Sequence, residues 1–290
     1  MSSKTGISDE AASGEHDLIH QAELEEQKAH PRDSMTRTPQ PGDNNTNLGS
    51  TENQGDKQES TLGKVKDTLL VEDPGEANPL SVGNKALNTG AAATQTFSPL
   101  KSVCAHLNAF HAYADDPKRF VEANHYCAHL NDDVRQCLLY DSDGPGARLI
   151  GIEYMITRLV YESLPAEERR LWHSHVYEVK SGMLIMPNRN VPERLWEVSE
   201  NAELNQVVDL YGKVYHLWQT DKGHQIPLGE PQLMTSFTAD GQLNFEKHVG
   251  ERDERFGTDY RRKLESRRDI PTPQIHPDAD QAWKQAGKQS

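Results

Sequence analysis

Phe120-Val121-Glu122-Ala123-Asn124-His125-Tyr126-Cys127-Ala128-His129-Leu130, followed by Asn131-Asp132-Asp133 and then Val134-Arg135-Gln136-Cys137-Leu138-Leu139-Tyr140, is the stretch on which the fold reading turns. Two runs with period-two alternation flank a polar turn, the pattern of a β-hairpin. Successive strand side chains point to opposite faces, so His125, Cys127 and His129 project together from one of them.

Upstream, Leu100, Val103, Cys104, Leu107, Phe110 and His111 recur at intervals of three and four after Ser98-Pro99, which predicts a helix with one buried face. Downstream, the Asp143-Gly144-Pro145-Gly146 loop leads to Ile152, Met155, Ile156, Leu159 and Val160, again at helical spacing. Leu164-Pro165-Ala166-Glu167-Glu168 opens a short helix toward Trp172. His173 to Val179 and Met183 to Met186 flank Lys180-Ser181-Gly182 as a second predicted hairpin. Residues 191–209 read as helical, with Pro192 near the first turn, and Val214 to Gln219 and Gln232 to Thr238 as strands. Glu246 to Ser266 is a charged surface helix interrupted near Gly257, and the prolines after Ile270 predict an extended tail. Together these elements predict an α+β fold, a largely antiparallel sheet packed with helices.

Composition divides the chain. The first aromatic residue is Phe97, and residues 1 to about 80 carry Ser, Asn, Gln, Gly and acidic side chains with few apolar ones. Such a segment buries too little apolar surface to offset its ordering entropy, which predicts a disordered acidic tail over 1–80, a single domain over 81–268 and a C-terminal tail over 269–290. A net charge of -14 with scattered Lys and Arg excludes a nucleic-acid backbone as partner. The cysteines, Cys104, Cys127 and Cys137, are odd in number, lack a CxxC spacing and imply no disulfide framework, which favours a reducing, cytoplasmic setting. No apolar run reaches the roughly 18 to 20 residues of a bilayer span, so any membrane contact is expected to be peripheral.

The candidate chemistry lies in histidine. Residues two apart in a strand stand about 6.6 Å apart and can share an ion, whereas four apart is about 13 Å, so at most two of His125, Cys127 and His129 can chelate together. His173-Ser174-His175 repeats the one-face spacing, and docking the two ribbons would complete a metal set, with zinc as the expected divalent ion. The competing reading leaves these histidines half-buried and hydrogen-bonded. Glu153 is a candidate general base if a histidine faces it, or a carboxylate favoured near a helix start; Glu178 is equally open. Gly144-Pro145-Gly146-Ala147 lacks both the P-loop and the dinucleotide pattern, and no GxSxG occurs.

Several blocks of this sequence, in one order, resemble the oil body-associated protein family: His125 to Asp133, Gln136 to Ser142, Arg148 to Tyr154, and Trp172 to Gly182. The likeness covers roughly residues 85 to 265. It implies association with oil bodies and their stability, and carries no catalytic residues. The expectation is therefore a non-enzymatic protein held peripherally at the lipid droplet surface, for which Lys64 to Val71 is a possible short anchor. The alternative is a metal-binding protein or metal-dependent enzyme built on His125, Cys127, His129, His173 and His175.

Overall fold

The computed structural model describes residues 80–188 and 190–287. The expected disordered tail and the 64–71 segment lie outside the described residues. The chain divides into two compact units, Met1–Thr96 and Phe97–Ser290. The described part of the first contains helix α1 (Val82–Thr94), capped by Ser81, whose hydroxyl accepts from the Asn84 N–H at 3.1 Å.

The second unit is a closed antiparallel barrel wrapped by helices. After α2 (Ser98–Lys101) come β1 (Ala105–Tyr113), β2 (Phe120–His129), β3 (Val134–Tyr140) and β4 (Leu149–Ile156). Two short helices follow, α3 (Arg158–Ser163) and α4 (Ala166–Arg169), then β5 (His173–Ser174), α5 (Val176–Lys180), α6 (Glu193–Val207) and β6 (Tyr211–His216). β7 (Gln232–Thr235), α7 (Phe245–Phe256), α8 (Tyr260–Ser266) and α9 (Gln281–Ala286) complete the chain. The strand order β4-β3-β2-β1-β7-β6 is closed by pairing of β6 with β4, and β5 adds to β6 beside β7. Closure removes the exposed edges that an open sheet would present.

The hairpin of Phe120 to Tyr140 is present as β2 and β3, and Pro192, Gly257 and the two charged helices α7 and α8 fall where the sequence places them. The helix expected from Leu100 to His111 is not formed beyond Lys101: the residues become β1. Its inner face lines the barrel, while on the outer face Phe110 packs with Met183, Phe237, Leu243 and Val249. A strand buried on both faces loses its period-two signature and imitates a helix. The helix expected from Ile152 to Val160 is β4 up to Ile156: Met155 points into the barrel while Ile156 packs outside it among Tyr161, Trp172 and Tyr211, so apolar residues of opposite faces fall at helical spacing. The second hairpin is also corrected. Only His173 and Ser174 are strand, Val176–Lys180 is helical, and Ile185 bridges Asn108.

Buried arginines secure that irregular segment: Arg252 donates to Asn108 Oδ1 at 2.8 Å and to the Met183 carbonyl at 2.7 Å, and Arg267 to the Val179 and Leu184 carbonyls at 2.9 and 2.8 Å. Beyond Ile270 the described residues are irregular up to Asp280 and then helical over Gln281–Ala286. Asp280, at φ 58°, accepts from Ser174 N at 2.7 Å and Ser174 Oγ at 2.9 Å, and its own N–H donates to the Trp172 carbonyl at 3.1 Å. Trp283 Nε1 donates to the Ser236 carbonyl at 2.6 Å.

Inside the barrel, Cys127, Cys137, Glu153, Val214 and Met234 form one continuous lateral row, each paired with the next across neighbouring strands. Cys127 and Cys137 are joined by a disulfide, their Cα atoms 4.0 Å apart. That corrects the expectation of no disulfide. Directly opposed residues of an antiparallel pair lie close enough to be bridged without backbone rearrangement.

Candidate metal centre

Strand alternation turns His111 of β1, His125 of β2, Glu153 of β4 and His216 of β6 into the barrel, and β5 brings His173 alongside. His175 follows as the N-cap residue of α5. None of these six side chains is more than 2% exposed. Glu153 is their common neighbour: its Oε2 lies 3.1 Å from His125 Nε2, and its Oε1 lies 3.3 Å from His173 Nε2 and 3.5 Å from His175 Nε2. His111 Nε2 stands 3.2 Å from His125 Nε2. Donors that share one ion at about 2.1 Å each lie at most about 4.2 Å apart, so every one of these contacts is within coordination reach.

The far sides of the rings fix their orientation. His175 Nδ1 donates to the Leu210 carbonyl at 2.9 Å and His125 Nδ1 to the Ala123 carbonyl at 3.2 Å. A carbonyl only accepts, so Nδ1 carries the hydrogen and Nε2 can offer a lone pair to the centre. His111 Nδ1 meets His216 Nε2 at 3.2 Å, a contact in which either ring can donate. Such outer partners set the tautomer of metal-ligating imidazoles.

Burial by itself would raise the Glu153 carboxyl, but contacts with His125, His173 and His175 outweigh it and hold the group well below the usual carboxylate range. Burial likewise works against charge on His175, yet Glu153 and Glu178 push it up to about 9. His111 is held well below its usual value by burial and by His125, and His216 is brought to about 3 by the same two causes. Without a metal, the imidazolium of His175 thus helps to answer the charge of Glu153. Both Glu153 oxygens and both His173 nitrogens are buried without a well-aligned hydrogen-bond partner. Groups left in this way call for an explanation, and an ion among them supplies one.

Gly212 keeps the space open. It pairs with His173 across β5 and β6, and a Cβ there would lie 2.3 Å from Glu153 Oε1 and 2.8 Å from His173 Nε2.

Of the residues singled out in the sequence, His125, His173, His175 and Glu153 come together. Glu178, also buried, lies with its Oε2 3.9 Å from His175 Nε2. Glu153 sits within a strand and caps no helix. Cys127 is committed to its disulfide, and His129 is exposed at the end of β2. His111, His216 and Gly212 escaped the sequence reading. His111 falls at helical spacing in the sequence; as a strand, Ala109, His111 and Tyr113 share the face that points inward.

The family described as "Protein of unknown function (DUF1264)" matches residues 97–271. Oil body-associated protein 1B of Arabidopsis thaliana is 43% identical over 213 residues, covering 73% of this chain and 85% of the relative. Oil body-associated protein 1A of Zea mays is 44% identical over 216 residues, 74% and 87% of the two chains. Oil body-associated protein 2A of Zea mays is 42% identical over 212 residues, 72% and 81%. No solved structure matches. With the barrel matched almost from end to end and relatives of this identity spanning most of both sequences, the chain belongs to the oil body-associated protein family.

Proposed function

We propose that the barrel is a metal-binding module that holds a first-row divalent ion on Glu153 and the imidazoles around it. The observation that carries this reading is the convergence of His125, His173 and His175 Nε2 on one buried carboxylate at 3.1 to 3.5 Å. Imidazole and carboxylate donors without thiolate suit zinc, iron, manganese or cobalt. The full-length chain, purified without chelator, should carry stoichiometric metal by elemental analysis and lose melting temperature when the metal is stripped. A metal-free preparation whose melting is also indifferent to added zinc, iron, manganese and cobalt sinks the reading.

A second reading concerns place. The names of the relatives associate them with oil bodies, and we extend that association to this chain as peripheral attachment at the lipid droplet surface. Among the described residues no helix is long and apolar enough to cross a membrane, in keeping with surface attachment. The finer expectation, a non-enzymatic scaffold that supports oil-body stability, is compatible with an ion that serves structure alone. Tagged full-length protein should float with lipid droplets from lipid-loaded cells; an even cytosolic distribution and no flotation reject this proposal.

A further inference from the structure

We infer that the centre is built for two ions bridged by Glu153. This rests on the metal-binding reading above and goes beyond it in number and arrangement.

The imidazoles sort by carboxylate oxygen. On the Oε2 side stand His125, at 3.1 Å, and His111, whose Nε2 is 3.2 Å from that of His125. On the Oε1 side stand His173 and His175, at 3.3 and 3.5 Å. The ligand atoms of His111, His125 and Glu153 lie within 4.8 Å of one another, as do those of Glu153, His173 and His175, and the two triads have only Glu153 in common. A carboxylate that offers each of its oxygens to a separate pair of imidazoles is arranged as a bridge. Two-metal sites place their ions about 3.5 to 4 Å apart, a span one carboxylate covers.

Glu178 adds negative charge beside the second position. It is 2% exposed, its Oε1 has no hydrogen-bond partner, and its Oε2 lies 3.9 Å from His175 Nε2, inside the limit for donors of one ion. It stands in the first turn of α5 and approaches the same atom, His175 Nε2, that Glu153 does. The ion pairs of Glu153 and Glu178 among the described residues are all to histidines, so no Lys or Arg neutralises either carboxylate. Buried anions in that condition need cations. The His173/His175 position has Glu178 beside His175, and the His111/His125 position has His216 Nε2 3.2 Å behind His111 Nδ1.

The test uses the full-length chain, stripped with chelator and refilled with Mn(II) alone. Two manganese per chain after desalting, with the spectrum of a magnetically coupled pair in electron paramagnetic resonance, is the expected result. H111A/H125A and H173A/H175A should each retain one ion and show the six-line spectrum of isolated Mn(II), while E153Q should lose at least one. One manganese per wild-type chain, with a six-line spectrum, overturns the two-ion inference and leaves the metal-binding reading standing. Wild-type protein that takes up no manganese, zinc, iron or cobalt overturns both. The wild-type stoichiometry and spectrum decide the matter even if a double variant does not fold.

Discussion

Glu153 Oε1 and His173 Nε2 meet at 3.3 Å across the bare backbone of Gly212, although their strands, β4 and β5, never pair. β6 runs between the two, so the contact exists only because position 212 has no side chain. Gly212→Ala should therefore empty the centre. The added methyl would sit 2.3 Å from the carboxylate oxygen, and overpacking of this kind costs about 1–3 kcal/mol. Urea denaturation and metal analysis of the variant check both effects, and wild-type metal content in G212A would contradict the assigned geometry.

Chelation should be felt as loss of thermal stability. Metal in hundredfold excess over its Kd stabilises by about 2.7 kcal/mol, and for a unit of this size that corresponds to a drop of about 5–11 °C on stripping. Glu153→Gln should lose less melting temperature to chelator than wild type. An equal response in wild type and variant would place the ion elsewhere.

Stability of the metal-free protein should depend on pH through His175. Its folded value of about 9 lies above the ordinary 6.5, so its contribution is complete below about pH 6.5 and is lost as pH rises toward 9. The amount is on the order of 3 kcal/mol. Denaturation midpoints of stripped protein between pH 6 and 9.5 should fall accordingly, and His175→Gln should flatten the slope. A stripped wild-type protein with a level profile over that range removes the His175–Glu153 pairing.

The disulfide between Cys127 and Cys137 closes a sequence separation of 10 residues, for which chain entropy gives about 2–3 kcal/mol. C127A/C137A should lose about that much in urea while keeping its full metal content, because the two sulfurs are bonded to each other and neither belongs to the groups that could hold an ion. Loss of metal in a variant that remains folded would return Cys127 to the ligand set.

What the sequence discloses follows from how many faces of a strand are buried. β3 alternates buried with half-buried residues, and its hairpin with β2 is legible. β1 is buried on both sides from Leu107 to Tyr113, so its apolar residues fall by accident at helical intervals, and β4 misleads because Ile152 and Ile156 on its outer face join Met155 on its inner face in a helix-like spacing. The site was legible to the same extent: His125, His173 and His175 stand in local pairs that spacing reveals, and they do converge. His111 was hidden by the misread strand. His216 and Gly212 depend on barrel closure, which joins β6 to β4 and is carried by no short-range pattern. The ligand role offered to Cys127 fails because its directly opposed partner across the hairpin is another cysteine.

The clasp of Asp280 on Ser174 sets an order of events during synthesis. Ser174 lies between two of the site's histidines, and the carboxylate that fastens it is translated 106 residues later. A nascent chain that has already exposed His173 and His175 still lacks their anchor, and His216 has yet to be made. Assembly of the centre therefore belongs to the late stages of folding, once translation has passed residue 280.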